Sequence, residues 1–313
     1  MLDAASKTFF HLIAKSRTLK TLASRYGMRK PTSFARRFIA GETVAEAIEA
    51  ARAVEARGMQ ITLDLLGESI TTLDEADAAT RGYLTVLDAI VASGIERNVS
   101  LKLTQLGLDV DKASAVDNLR KILGRADPSG FFVRIDMESS EYTDVTLEIV
   151  ETLWRHGYHN VGVVLQAALY RSEERDLARV NALGARIRLV KGAYNEPKSV
   201  AHAKKADVDA SFARMTKTLL TDGHYPAIAT HDPGMIAVAR QWASEHQVAP
   251  DRFEFQMLYG VRRDLQAMLV QAGYRVRVYI PFGREWFPYF MRRLGERPAN
   301  VVFVLRGLLV DRG

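Results

Sequence analysis

From residue 60 onward the sequence repeats one pattern eight times, and this repeat limits the folds that are open to the chain. Each unit has a short apolar run, a polar residue near its end and a longer amphipathic segment. Apolar runs that alternate with helices at this spacing are typical of parallel β-strands joined by helical crossovers. Eight units within roughly 250 residues predict a (β/α)8 TIM barrel rather than an open doubly wound sheet.

Start and stop signals give the boundaries of the units. The predicted strands are Gln60–Leu66, Val99–Leu103, Phe131–Ile135, Val161–Leu165, Arg186–Val190, Ala227–Ala229, Phe253–Gln256 and Val276–Ile280. Helices are predicted to end in left-handed glycine caps at Gly94, Gly124, Gly157, Gly184, Gly223 and Gly273. Capping boxes at Thr43-x-x-Glu46 and Thr72-x-x-Glu75 predict two helix starts. We therefore predict a helical extension over residues 1–58 and a barrel catalytic domain over 59–313, forming one domain overall.

Composition narrows the classes of function. The chain has no cysteine, which excludes disulfides, thiolate metal sites and a cysteine nucleophile and fits a cytoplasmic protein. No stretch approaches the roughly 20 apolar residues of a membrane span. A net charge of +6 suits an anionic cofactor, an anionic membrane surface or nucleic acid. The charges are dispersed along the chain, which argues against nucleic acid, and the seven histidines show no metal-binding spacing.

The first 26 residues mix five basic side chains with several large apolar ones and contain one acid, Asp3. Such a segment fits an organellar transit peptide. It also fits an amphipathic helix that lies on the inner face of a membrane, or a helix packed on the domain. The sequence leaves these three interpretations open.

The active site of a barrel lies at the carboxyl ends of its strands, so the polar residues there are its candidates. They are Glu68, Lys102, Asp136, Gln166, Arg188 with Lys191, Thr230 with His231, Gln256 and Tyr279. Lys102, Asp136 and Arg188 stand in otherwise apolar runs, and charges in such runs need partners. Lys102 and Asp136 belong to neighbouring predicted strands, so a direct pair between them is one arrangement. We interpret His231 as a structural or ligand-contacting residue rather than a general base.

The segment Tyr279–Glu296 predicts a further helix that carries a carboxylate-binding face. Pro288 suits its first turn, and Pro298 stops it. Offsets of three, four and seven place four side chains on one face: Tyr289, Arg292, Arg293 and Glu296. A guanidinium matches a carboxylate with two parallel hydrogen bonds. This face therefore predicts a site for a small carboxylate beside an apolar ring.

With these residues in hand, the chain resembles the monofunctional proline dehydrogenases, flavin-dependent enzymes of proline catabolism, over nearly all of residues 60 to 305. The motifs that carry the resemblance are Arg188-Leu-Val-Lys-Gly-Ala-Tyr194, Ser100-Leu-Lys-Leu-Thr104, Arg134-Ile-Asp-Met-Glu138, Val164-Leu-Gln166 and Tyr289-x-x-Arg-Arg-x-x-Glu296. The resemblance implies a distorted (β/α)8 barrel that holds FAD. It also implies oxidation of L-proline to Δ1-pyrroline-5-carboxylate, with electrons passed on to a membrane quinone. The net positive charge and the amphipathic N-terminal segment are compatible with peripheral contact with the bilayer.

The resemblance assigns roles to individual residues. Gln166 and Arg188 are expected to contact the isoalloxazine ring, with Arg188 near N5. The other expected cofactor contacts are Val190, Lys191, Gly192, Ala193, Tyr194, Thr230 and His231. One departure concerns the adenine end, where bifunctional relatives carry a tryptophan and this chain has Asn195.

For the substrate, the resemblance implies that Arg292 and Arg293 bind the carboxylate, with Lys102 reaching the same group. Tyr289 is expected to pack on the ring and to favour proline over 4-hydroxyproline. The remaining assignments are Leu258 on the apolar side, Asp136 with Tyr279 as an orienting pair, Glu296 beside the arginines, and Glu68 as a gate that pairs with Arg292.

Two other classes of function stay open on the residues alone. A barrel lyase would use Lys102 or Lys191 as a Schiff-base nucleophile, although it has no need of an arginine pair on the last helix. A basic membrane- or nucleic-acid-binding protein would use the barrel as a scaffold. Its binding would weaken steeply with salt.

Overall fold

The structure, a computed structural model, describes residues 33–67 and 70–296, apart from the side chains of residues 34 and 294–296. The N-terminal 26 residues, Glu68, Pro298 and the side chain of Glu296 therefore lie outside the described residues. Most of the predicted 1–58 extension also lies there. Its described part contains a 3-10 turn, Phe34–Arg37, and helix α1, Val44–Glu55.

Eight parallel strands close into a barrel in sequence order, which confirms the predicted fold class. The strands are β1 Gln60–Leu65, β2 Asn98–Leu101, β3 Phe132–Ile135, β4 Val161–Gln166, β5 Ile187–Val190, β6 Ala227–Ala229, β7 Glu254–Leu258 and β8 Val276–Phe282. Strand β8 pairs with β1 over six residues, from Gln60 opposite Arg277 to Leu65 opposite Phe282. This pairing closes the cylinder and leaves none of these strands at a sheet edge.

Helices surround the strands and bury their apolar sides against them. After α1 they are α2 Leu73–Ser93, α3 Lys112–Ala126, α4 Thr143–Arg155, α5 Leu177–Leu183, α6 Lys205–Asp222, α7 Pro233–Glu245, α8 Arg263–Gln271 and α9 Trp286–Glu296. The main apolar core lies between this ring of helices and the strands. No helix in the described ranges combines the length and the apolar content needed to cross a membrane.

Both predicted capping boxes are present. The Thr43 side chain accepts from the Glu46 N–H while Glu46 accepts from the Thr43 N–H, and Thr72 with Glu75 repeats this arrangement. Arg36 also donates to Glu46, at 2.6 Å. Burial opposes the charge of Glu46, but the hydrogen bond from Arg36 and those from the backbone lower its pKa to about 2. The cap therefore keeps its charge throughout the neutral range.

Two of the predicted glycine caps are wrong. Helix α3 runs through Gly124 and ends at Ala126, because a helical glycine is tolerated where neighbouring side chains are buried, as Leu123 and Ala126 are. Gly223 does follow the end of α6, but its backbone is extended rather than left-handed. A Cβ there would lie 2.4 Å from the carbonyl oxygen of Leu219, so close approach explains this glycine.

One interior glycine provides a stability test. A Cβ on Gly162 would lie 2.4 Å from the Arg186 carbonyl oxygen, 2.7 Å from Phe132 and 2.8 Å from Arg134. We expect Gly162→Ala to lower the free energy of unfolding by about 1–3 kcal/mol through overpacking. Gly124→Ala is the matched control, because a Cβ there meets nothing within 4 Å and should stabilise by about 0.5–1 kcal/mol. Equal denaturant midpoints for the two variants would contradict the account.

Candidate active site

A cavity of about 870 Å³ opens at the carboxyl ends of the strands, where the barrel fold places an active site. Every predicted site residue whose side chain the structure describes lines it. They are Lys102, Asp136, Gln166, Arg188, Val190, Lys191, Gly192, Ala193, Tyr194, Thr230, His231, Leu258, Tyr279, Tyr289, Arg292 and Arg293. Residues from seven strands or their following loops and from helix α9 therefore meet in one volume.

Arg188 lies at the floor of this cavity with 5% of its surface exposed. Its Nη1 donates to Asp136 at 2.6 Å and its Nη2 donates to Ser100 at 3.0 Å, while its Nε donates to Gln256. A guanidinium has five N–H groups. Three of them have partners among the described residues, and the guanidinium also lines the cavity.

Asp136 joins Arg188 to the phenol of Tyr279. The Tyr279 hydroxyl donates to the second carboxylate oxygen of Asp136 at 2.8 Å, so the pairing expected from the resemblance is present. Burial, together with the negative charge of Asp136, raises the pKa of Tyr279 well above its usual value. The phenol therefore stays protonated and remains a donor. Asp136 forms its ion pair with Arg188, which lies two strands away in the barrel. The sequence suggests Lys102, on the neighbouring strand, as one partner for Asp136, and the observed partner is Arg188 instead.

Lys191 lies on the wall of the cavity between two carboxylates. Its ammonium donates to Asp232 at 2.7 Å and also to Asp209. The hydrogen bond from Lys191 lowers the pKa of Asp232. Burial opposes the charge of Asp209, but hydrogen bonds from Lys191 and Lys205 hold its pKa below the usual value. Two lysines and two aspartates thus form a compensated cluster at the edge of the cavity.

His231 accepts a hydrogen bond from the backbone N–H of Leu258 through Nε2, at 2.9 Å. A ring nitrogen that accepts in this way carries no proton, so the proton of the neutral ring lies on Nδ1. This contact fixes the loop after β6 to the end of β7. It supports the interpretation of His231 as a structural or ligand-contacting residue rather than a base.

The loop after β5 brings its backbone close to the cavity at Gly192. Its φ of +109° lies in the region that favours glycine, and a Cβ would lie 3.0 Å from Ala168 and 3.4 Å from the Gln166 side-chain oxygen. Gln166 is fixed in turn, since its Nε2 donates to the Glu138 carbonyl at 2.8 Å. At Gly192 the loop therefore presents main chain to the cavity, between the side chains of Lys191 and Ala193 that also line it.

Helix α9 closes the remaining side. Tyr289 is buried in an aromatic cluster with Trp286 and Phe290, and the guanidinium of Arg293 lies 5.2 Å from the centre of its ring. Arg292 and Arg293 are half-buried and line the cavity beside Tyr289, as their helical spacing predicted. This wall combines two cations with an aromatic ring.

Some functional contacts were missed from the sequence. Gln256 was noted only as a polar strand end, yet it binds Arg188, and Ser100 was not singled out as its third partner. Glu254, two residues before Gln256, is buried inside the barrel. Its alternation with Gln256 along β7 was the available signal, because alternate residues of a strand face the same side.

The family model described as proline dehydrogenase matches residues 47–306. The proline dehydrogenase of Deinococcus radiodurans is 43% identical over 285 residues, covering 90% of this chain and 92% of that protein. Proline dehydrogenase 2 of Bacillus subtilis (strain 168) is 40% identical over 303 residues, covering 97% and 98% respectively.

Among solved structures, the chain is similar to proline utilization A from Bdellovibrio bacteriovorus inactivated by N-propargylglycine. The TM-score is 0.80 at 25% identity, and the match covers 98% of this chain and 40% of that larger chain.

Proposed function

The chain belongs to the proline dehydrogenase family and is an enzyme that oxidises proline, and from this premise we propose how it does so. We propose that it binds FAD and L-proline in the cavity described above, removes a hydride and a proton from proline, and passes the electrons to a quinone. The observation that carries the proposal is the buried Arg188 guanidinium at the floor of a cavity whose wall holds Arg292 and Arg293.

The residues present fit FAD. A volume of about 870 Å³ is large for a small amino acid alone and suits a cofactor together with its substrate. Arg188 brings a positive charge to the cavity lining, and Gly192 brings half-buried main chain in a backbone conformation that favours glycine. We assign Gln166 and Arg188 to the flavin ring, and Val190–Tyr194 with Thr230 and His231 to the rest of the cofactor. FAD, when bound, supplies the hydride acceptor of the reaction.

We assign proline to the α9 side of the cavity. Arg292 and Arg293 bind its carboxylate with Lys102, and Tyr289 and Leu258 contact its ring. Fixing the carboxylate at two points sets the position of the ring carbon beside the nitrogen, and such positioning contributes up to roughly 7–11 kcal/mol to catalysis. Gating by Glu68 and support by Glu296 belong to the proposal as well, although their side chains lie outside the described residues.

The reaction balances in two steps on the substrate. The secondary ammonium of proline gives up a proton to solvent, and the lone pair of the resulting amine then forms a C=N bond as the adjacent ring carbon releases a hydride, for which FAD would be the acceptor. The product is Δ1-pyrroline-5-carboxylate. The fixed positive charge of Arg188, held by Asp136, stabilises negative charge that develops in the cavity during the transfer. Tyr279, with its raised pKa, stays neutral and orients Asp136.

The visible absorption spectrum tests both cofactor and substrate. We expect the purified protein to show a flavin spectrum that bleaches on anaerobic addition of L-proline and returns when a soluble quinone is added. A flavin spectrum that ignores proline would overturn the substrate assignment. Persistent bleaching would overturn the quinone assignment. A colourless protein that FAD fails to reconstitute would overturn the proposal, and borohydride trapping with substrate would then identify a Schiff-base lyase.

A further inference from the structure

Below the floor of the cavity, the barrel interior holds a continuous chain of buried polar side chains. It links Arg188 to Gln256, then to Glu254 and finally to Arg277 near the amino-terminal end of the barrel. We propose that Gln256 is a positioning residue that fixes the guanidinium of Arg188, and that Glu254, held by Arg277, orients the Gln256 amide. The role of Arg188 toward the flavin rests on the proposed function, whereas the positioning itself concerns only this chain.

The orientation of the Gln256 amide follows from its two partners. Its carbonyl oxygen accepts from the Nε of Arg188, and its amide nitrogen donates to Glu254. A flipped amide would point N–H groups at a guanidinium and an oxygen at a carboxylate. Both contacts would be repulsive in a site where Gln256 is 4% exposed and Glu254 is 2% exposed. The amide therefore has one orientation.

Glu254 is itself fixed. Arg277 donates to its two carboxylate oxygens at 2.8 and 3.0 Å in the bidentate geometry that favours guanidinium–carboxylate pairs. Arg277 also donates to Glu96 at 2.8 Å and to the Ile61 carbonyl at 2.6 Å. Arg277 thus forms hydrogen bonds with Glu254, Glu96 and Ile61, and these contacts fix the end of the polar network that lies farthest from the cavity.

The consequence for Arg188 is geometric. Gln256, Asp136 and Ser100 hold its Nε, Nη1 and Nη2 from three different strands. Asp136 and Ser100 hold the two terminal nitrogens of the guanidinium, and the contact from Gln256 to Nε limits how far the group can rotate about the line that joins these two nitrogens. Without it, a buried N–H loses its acceptor and the side chain gains other rotamers. The guanidinium that lines the cavity would then change position.

A double-mutant cycle tests the proposal. Gln256→Met keeps the length of the side chain but removes both the acceptor and the donor. Arg188→Lys keeps the positive charge but lacks Nε. Asn118→Leu is the control, because it removes a buried amide from the outer helix α3, away from the cavity. The readouts are the midpoint potential of bound FAD, kcat and KM for proline, and crystal structures of the FAD-free proteins.

We expect Gln256→Met to make the potential more negative and to lower kcat about 10- to 100-fold, with little change in KM. In the Arg188→Lys background the same substitution should have almost no further effect. Equal effects in both backgrounds would overturn the proposal, as would an unmoved Arg188 in the FAD-free Gln256→Met structure. If Gln256→Met does not fold, Gln256→Leu, which also lacks the acceptor and the donor, takes its place in the same cycle. A wild type that never binds FAD contradicts the proposed function, and the FAD-free structures then still decide the positioning claim.

Discussion

Replacing Arg292 with methionine should raise the KM for L-proline by roughly 30- to 4,000-fold. The substitution removes one member of the cation pair that lines the α9 side of the cavity. Truncating one partner of a buried, hydrogen-bonded charge pair costs about 2–5 kcal/mol, and each 1.4 kcal/mol corresponds to about tenfold in affinity. The effect should appear in KM and in the Kd of cyclopentanecarboxylate, a ring carboxylate without the amine. Steady-state kinetics and flavin-monitored titration measure the two quantities.

Two comparisons separate carboxylate binding from general damage at this helix. Arg284→Met changes an exposed arginine just before α9 and should leave KM within about twofold. Pyrrolidine, which is proline without its carboxylate, should bind wild type and Arg292→Met equally weakly. If pyrrolidine loses as much affinity as proline does, the assignment of Arg292 to the carboxylate is wrong.

Replacing Arg277 with methionine should lower the free energy of unfolding at pH 7 by about 3–5 kcal/mol. Removing one partner of a buried ion pair leaves the other charge uncompensated, and this costs more than the pair contributes. Arg277 and Glu254 are 4% and 2% exposed, and Arg277 also donates to Glu96. Arg214→Met is the control, since the Arg214–Glu173 pair is largely exposed and such pairs contribute less than about 1 kcal/mol.

The pH dependence of this loss has a defined sign. In the wild type, burial opposes the charge of Glu254, but Arg277 holds its pKa below the usual value of 4.5. Its contribution to stability is therefore present above that value and is lost as the pH falls through the lowered pKa. In Arg277→Met, only the hydrogen bond from Gln256 and the charge of Arg134 are left to oppose burial, so the pKa of Glu254 should rise. The variant should then gain stability relative to wild type as the pH falls from 7 toward 4.5. A deficit that stays constant across this range, measured by denaturant unfolding, would contradict the role of Glu254.

The sequence sufficed for the strands because each is a short apolar run between polar segments. All eight predicted strands overlap observed ones, and the ends differ by no more than two residues, as where β8 continues from Ile280 to Phe282. Helix ends were harder. Gly124 has the residue type of a cap but lies within α3, since the packing of Leu123 and Ala126 on the core decides where that helix stops.

The membership of the site was also predictable, because strand ends in a barrel converge on one opening. The partners within it were not. Arg188 contacts Asp136, Gln256 and Ser100, which lie 52, 68 and 88 positions away in the sequence. Alternation along a strand indicates that a side chain points inward, but it does not specify which strand across the barrel supplies the partner. That choice depends on stagger between strands, which no local pattern encodes.

The charged interior also affects how the chain reaches its native pairing during folding. The last seam of the barrel joins β8 to β1, and Arg277 crosses it to the Ile61 carbonyl, 216 positions away. A strand that slips by one residue turns its interior side chains outward. A mispaired β7 or β8 would therefore bury Arg277 or Glu254 without its partner, at a cost of several kcal/mol. An apolar interior would lack this cost, whereas the buried charges of this barrel destabilise mispaired forms relative to the correctly closed one.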